Sequence, residues 1–344
     1  MITTIQTYKD INSTAWSRLV QSSPTGTWFQ MPEAYSFFAD LPNVFRPFVV
    51  AVVEKGNGEK DLLLRAVCVG YITVEQNPIK QFFTRRAIII GGPALVADCT
   101  SEEVVLLMET VKCRIKELGG AIYIETRNFN DYTRYRDGFE KAGFHYEPHL
   151  NFHVHTDIPW ETTESHIGKH RRRYIRLSYR DGASVVESPS IGQVREYYDL
   201  LRELYTKKVK MPLLPKVFFE KLYQLESCKY LLVEFEGKIV GGAICMLLQG
   251  RGVYEWFACG KDGEYKNIYP SSVTKYAGMK FASDHGFPIF DMMGAGKPGV
   301  PYGVRDFKEE FGGELVEHGR YRFIAKPFLY RCGEIAVKIM QLSK

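Results

Sequence analysis

The 344-residue sequence predicts a mixed α/β (α+β) protein in which one strand-and-helix unit is written twice. Three observations carry this. The chain exceeds the roughly 250 residues at which single hydrophobic cores stop growing. Its 45% hydrophobic and 25% charged residues are the composition of an ordinary globular protein. The same succession of hairpin, third strand, helix, short buried strand and helix end occurs in both halves.

In the first half, the β-branched runs 47–53 and 66–74 flank a turn around Glu54-Lys55-Gly56-Asn57-Gly58 and predict an antiparallel hairpin. The run 87–93 supplies the third strand. Ser101-Glu102-Glu103 opens a helix whose apolar face is Val104, Leu107, Met108, Val111, Ile115 and Leu118. Gly119-Gly120 stops it, and Ala121–Ile124 follows as a short buried strand. The stretch Phe139–Phe144 reads as a helix end running into another strand.

The second half repeats this order. Runs 230–235 and 239–247 flank the tight turn Glu236-Gly237-Lys238. Gly252–Cys259 is the third strand, and Pro270-Ser271-Ser272 opens a helix ending at His285-Gly286. Pro288–Asp291 is the buried strand, and Phe307–Gly313 stands where Phe139–Phe144 stood. Between the halves, Trp160–Arg180 reads as one basic helix without an acid from His166 to Arg180. A second connecting helix presents Val194, Tyr197, Tyr198, Leu201, Leu204 and Tyr205, and Phe328–Lys344 is a short amphipathic basic helix. The expected division is therefore 1–158, a connector 159–229, and 230–344.

Several chemistries lack their residues. The net charge of +5 is mild for a dedicated nucleic-acid-binding domain. Seven cysteines without a C-x-x-C pair read as reduced core thiols. The eight histidines, including the group at 145, 149, 153 and 155, show no metal-site spacing and read as surface residues. There is no G-x-S-x-G elbow and no dinucleotide fingerprint, and Gly294-Ala295-Gly296-Lys297 lacks the spacing of a phosphate loop. No cofactor or metal is expected. Lacking a signal-peptide pattern or an apolar run of about 18 residues, the chain is expected to be soluble and cytoplasmic.

Two segments remain as candidate sites. Lys169, Arg172 and Arg176 fall on one side of the basic helix, where guanidinium forks would bind phosphate, or form only a solvated charged face. Phe307-Lys308 precedes two glycines; an ammonium there would stabilise an acyl-transfer oxyanion or a departing hydroxyl, or the segment is only a helix cap. Tyr302 and Arg305 complete the candidate substrate-binding set.

The order Gln30 after Trp28-Phe29, Gly91-Gly92-Pro93, Arg172-Arg173-Tyr174-Ile175-Arg176, Phe290-Asp291-Met292-Met293-Gly294 and Phe307-Lys308-x-x-Phe311-Gly312-Gly313 resembles the Fem-type aminoacyltransferases, the FemABX family. The resemblance implies two tandem domains like GCN5-related N-acetyltransferases, with mixed sheets flanked by helices. It also implies transfer of an amino acid from aminoacyl-tRNA to an amino group of a nucleotide- or lipid-linked peptidoglycan precursor, without metal or CoA. Lys308 with Phe307 would then stabilise charge at the leaving end of the donor. Arg172 would meet the acceptor's phosphates, and Asp291, at the end of a buried strand, is either the general base or a satisfied structural carboxylate. The stretch 190–229 is too short for the long helical arm of many members. Phe37, Phe38 and Ala39 stand where some members place a lysine. The alternatives are a CoA-dependent N-acyltransferase acting on a sugar or small amine, and a non-catalytic RNA- or phosphate-binding protein. The tail from Phe328 is a possible peripheral membrane contact.

Overall fold

The computed structural model describes residues 2–55, 62–210 and 212–342, with side chains through Ile335. The centre of the first predicted hairpin turn lies outside the described residues.

The chain divides into two compact units, one formed by Met1–His149 with Glu317–Lys344, the other by Leu150–Val316. The first unit runs β1 (Ile2–Ile5), α1 (Ser13–Ser22), α2 (Pro32–Ala39), β2 (Phe45–Lys55), β3 (Leu62–Thr73), α3 (Pro78–Thr84), β4 (Ala87–Gly91), β5 (Ala94–Leu95), α4 (Ser101–Glu117), β6 (Tyr123–Asn128), α5 (Arg136–Lys141) and β7 (His145–Glu147). The second runs β8 (Leu150–His155), α6 (Trp160–Ser165), α7 (Lys169–Arg180), β9 (Ser184–Val186), α8 (Ile191–Leu204), α9 (Lys216–Leu222), β10 (Cys228–Phe235), β11 (Lys238–Leu248), β12 (Gly252–Gly260), α10 (Pro270–Asp284), β13 (Ile289–Gly294), α11 (Gly303–Glu309) and β14 (Glu314–Glu317). The chain then returns to the first unit with β15 (Arg320–Ile324) and α12 (Pro327–Leu342).

The strand orders prove the repeat. The first sheet is β1-β2-β3-β4-β6-β15-β7, with β5 beside β3, and the second is β9-β10-β11-β12-β13-β8-β14. Position by position they correspond, and the sixth place in each is filled by a strand from a remote part of the sequence. That exchange is why the observed division differs from the linear one expected. The helices expected to connect two domains belong to the second unit, the tail belongs to the first, and β8 leaves the first 158 residues for the second sheet. The expected single basic helix is two, α6 and α7, parted at His166–Gly168.

Local chemistry sets these elements. Thr100 and Glu103 form a reciprocal capping box at the start of α4, whose Val104, Leu107, Met108 and Val111 bury against the first sheet. Burying each such side chain contributes about 1.5–3 kcal/mol. Glu236 and Gly237 take φ of 50° and 72°, the left-handed pair that a two-residue hairpin turn between β10 and β11 requires. The buried Gln30 donates to the carbonyls of Val69 and Ile90 and accepts from the Val69 N–H, stitching β3 to β4. At Gly91, φ is 79° and a Cβ would stand 2.3 Å from Thr27 Oγ1, so both backbone and space require glycine. Two of the sequence motifs in the first unit are thus structural.

Candidate active site

In the second unit β12 and β13 run parallel but pair only at Val253–Phe290 and Tyr254–Asp291. Beyond these pairs β12 continues to Gly260 and β13 to Gly294, each bonded on its far edge to another strand. The result is an open seam, whose facing edges carry backbone groups that the ladder does not use. Buried ionisable side chains gather at its closed end.

Asp291 is 1% exposed. Its Oδ1 accepts the Met293 N–H at 2.6 Å, a bond that bends the strand and holds Met293 at φ 59°. Its Oδ2 lies 3.4 Å from His153 Nε2 on the neighbouring β8. Burial disfavours the imidazolium, but the charge and hydrogen bond of Asp291 outweigh this and raise the His153 pKa. The reading of His153 as a surface residue is therefore corrected: pairing of β8 with β13 places it inside.

Lys308, on α11, is 6% exposed. Its Nζ donates to the carbonyls of Met292, Met293 and Gly294 at 2.5, 3.3 and 2.9 Å, so the three oxygens at the bent end of β13 cradle the ammonium. Burial lowers its pKa to about 8, against the opposing pull of Asp291. A lysine that loses its proton near neutrality responds to small changes in its surroundings. Phe307, next to it, packs on Phe311 with ring centres 5.2 Å apart. Gly312, at φ 75°, lies so close to His166 that a Cβ would meet its carbonyl oxygen at 2.5 Å. The double glycine thus serves close backbone approach, as well as ending α11.

Two further buried charges were not singled out from sequence. Glu255 on β12 pairs with Lys275 on α10, and the Glu255 Oε1 has no hydrogen-bond partner among the described residues. Burial, then the positive charge of Lys308, holds the Lys275 pKa well below its ordinary value. The signal was present, because each is a lone charge inside an apolar stretch.

The basic helix reaches this region through a residue other than those expected. Arg171 makes a two-pronged ion pair with Glu310 at 3.0 and 2.9 Å, and its guanidinium lies 4.5 Å from the centre of the Phe307 ring. Lys169 and Arg176 are exposed and Arg172 is half-buried, and among the described residues no side-chain hydrogen bond or ion pair holds any of the three. Arg305 donates to the carbonyls of Lys297 and Val300, bracing the loop after β13. Tyr302 precedes α11, 41% exposed, with its ring against Gly296. A cavity of about 530 Å³ lies elsewhere in this unit, lined by Glu196, Glu203, Lys207, Lys238 and Lys261 among others, and includes none of these residues.

Among the described residues no group of three or more His, Cys, Asp or Glu is arranged to hold a metal ion. Four cysteines are buried, whereas Cys113 is exposed and Cys228 and Cys332 are intermediate, so the reading of core thiols holds for only part of the set.

Residues 224–338, from just before β10 into α12, match the model of the FemAB family. This stretch carries the FemAB signature. The match includes Glu255, Lys275, Asp291, Phe307 and Lys308, and excludes α7 and His153. It bears out the Fem-type resemblance and makes the chain an acyltransferase by class. The fold is also that of the FemX crystal structure, at a TM-score of 0.70 and 15% identity over 95% of this chain and 99% of that one. A tandem GNAT protein from the clavulanic acid biosynthesis pathway follows at 0.55 and 9% identity, covering 94% and 98%. L-PGS from Bacillus licheniformis gives 0.54 and 14% identity, covering 85% and 87%. No curated protein sequence matches the chain.

Proposed function

We propose that the protein is a Fem-type aminoacyltransferase that moves an amino acid from aminoacyl-tRNA to an amino group of a nucleotide- or lipid-linked peptidoglycan precursor. The observation that carries this reading is the open β12–β13 seam, closed at one end by Asp291 and Lys308 within the FemAB match. The acceptor amine attacks the ester carbonyl, an amide forms, and the ester bond breaks to leave a hydroxyl on the tRNA ribose. The amine loses one proton and the departing oxygen gains one. In this reading Lys308 with Phe307 steadies negative charge at the leaving oxygen, and the Asp291–His153 pair accepts the proton. Lys169, Arg172 and Arg176 offer their cations to substrate phosphates, and Tyr302 and Arg305 shape the loop after β13 for substrate. Holding two reactants in line lowers such a barrier by up to about 10 kcal/mol, so an activated ester asks little more of the protein.

One local feature supports tRNA over CoA as donor. A helix N-terminus after the third long strand suits a pyrophosphate. Here the carboxylate of Asp262 accepts the Ser271 N–H at 3.2 Å at the start of α10, and the next two amides bond to the Tyr269 carbonyl. A carboxylate in that place repels an incoming phosphate.

The test is transfer of label. The full chain is incubated with labelled aminoacyl-tRNA or labelled acetyl-CoA and a nucleotide- or lipid-linked cell-wall precursor. Amide-linked label from aminoacyl-tRNA alone is expected. Label from acetyl-CoA alone would favour the N-acyltransferase reading, and tRNA binding without transfer to any precursor would favour a binding protein.

A further inference from the structure

The short helix α3 is turned inside out. Asn77 caps it by accepting the N–H groups of Ile79 and Lys80, and Gln81 is its one half-buried residue. The Gln81 side chain donates to the Thr73 carbonyl at 3.0 Å and accepts the Glu75 N–H, so a polar group anchors the helix to the first unit. Ile79, Phe82 and Phe83, at i, i+3 and i+4, are left 72, 55 and 52% exposed. A helix of a globular domain buries its apolar stripe; this one presents it to solvent.

The patch continues onto α12, which packs against α3. Tyr330 fastens α12 to the first unit, edge-on to Tyr123 and bonded by Arg322 at 2.7 Å. Phe328 and Ile335, two turns apart on one face, are 78 and 57% exposed. In sequence the apolar spacing runs on to Ile339 and Leu342. Cations surround it: Lys80, Lys326 and Arg331 are exposed, and Lys326 Nζ stands 6.0 Å from the centre of the Phe82 ring. Segments 75–86 and 326–344 together hold seven Lys or Arg against two Glu, so two copies meeting through this face would set like charges against each other.

We propose that the α3–α12 face is a docking surface for an anionic lipid bilayer. Phe82, Phe83 and Phe328 enter the boundary between headgroups and acyl chains while the surrounding cations meet lipid phosphates. Neither helix crosses the bilayer, and among the described residues no helix is long and apolar enough to do so. The inference rests on the first unit alone and stands whatever group the second unit transfers.

Co-sedimentation of the full chain with vesicles tests it. Mixed phosphatidylglycerol–phosphatidylcholine vesicles should bind at least tenfold more protein than phosphatidylcholine alone, and added salt should weaken the binding. Phe82→Ser with Phe83→Ser should reduce it at least tenfold. Lys80→Gln with Lys326→Gln should reduce it several-fold and flatten the salt dependence. Equal binding to both vesicle types, or unchanged binding by the phenylalanine variant, overturns the proposal. So does a concentration-dependent dimer, seen by analytical ultracentrifugation, that the phenylalanine substitutions abolish, since the occupant would then be a second copy of the chain.

Discussion

The same strand position carries a buried acid in both units, and the two units neutralise it in opposite ways. In the first, β4 and β6 stay paired through five successive residues, from Ala87–Ile124 to Gly91–Asn128, and Glu125 lies inside a closed sheet. Arg127, Arg320 and Arg322 converge on it at 2.8, 3.2 and 2.5 Å. Burial would raise the Glu125 pKa, but the arginine charges win and hold it at about 2. In the second unit the parallel pairing ends after two residues, and Asp291 meets a histidine and a backbone amide. The nearby cation, Lys308, is spent on carbonyls and keeps a proton only loosely. A duplicated fold has closed one copy into a brace and left the other open with groups that can exchange protons.

The largest effect should come from breaking the brace. A carboxyl shifted from 4.5 to about 2 contributes roughly 3 kcal/mol of stability. That contribution is present above the unfolded pKa and lost as the pH falls through the folded one. Glu125→Gln should therefore cost about 3 kcal/mol in urea unfolding at pH 7, and the wild-type loss between pH 4.5 and 2 should shrink by as much. Transfer per folded molecule should remain within about twofold. Lost transfer with unchanged stability would move the chemistry into the first unit.

The repeat was legible because each half writes the same hydrophobic periods between the same glycine stops, as at Gly119-Gly120 and His285-Gly286. The exchanged strands were not, because alternation in Leu150–His155 states that a strand exists and says nothing of which sheet receives it. That single ambiguity misplaced the domain boundary and put His153 on the surface. Lys308 was found through its motif, yet its carbonyl cradle depends on the bend at Met292-Met293, which no local pattern in Phe290–Gly294 announces. Arg171 was hidden among equivalent-looking neighbours, since only tertiary contact with Glu310 distinguishes it from Arg172.

A smaller effect sharpens the open side of the comparison. If the Lys308 ammonium steadies the leaving oxygen, Lys308→Met should lower turnover at least tenfold, about 1.4 kcal/mol in barrier, with the circular dichroism spectrum unchanged. The pH profile separates this role from a structural one. Wild-type turnover should fall as pH rises through about 8, where the ammonium is lost. Stability should move the other way, because the unfolded chain keeps this proton to about 10.5 and the folded one to about 8. Between those values the unfolded state binds more protons, so the Lys308 contribution rises with pH. The methionine variant should lose both slopes; an unchanged turnover and pH profile would leave Lys308 as a clamp on the bend.

The smallest effect concerns the cations on α7. Arg171 is held by Glu310 and Phe307, whereas Arg172, one residue on, is half-buried, and its guanidinium has no hydrogen-bond or ion-pair partner among the described residues. A guanidinium without a carboxylate is free to meet phosphate, and its contribution at a partly exposed position is about 1 kcal/mol at low salt. Arg172→Ala should therefore weaken binding of a nucleotide-linked precursor several-fold, measured by isothermal titration, and the difference should fade as salt shortens the screening length. Arg171→Ala should instead loosen α11 and lower turnover more than affinity, because it removes a contact to Phe307 beside the seam. Equal losses of affinity in both variants would mean that α7 acts as one charged face, and the distinction between a docked and a substrate-facing arginine would fall.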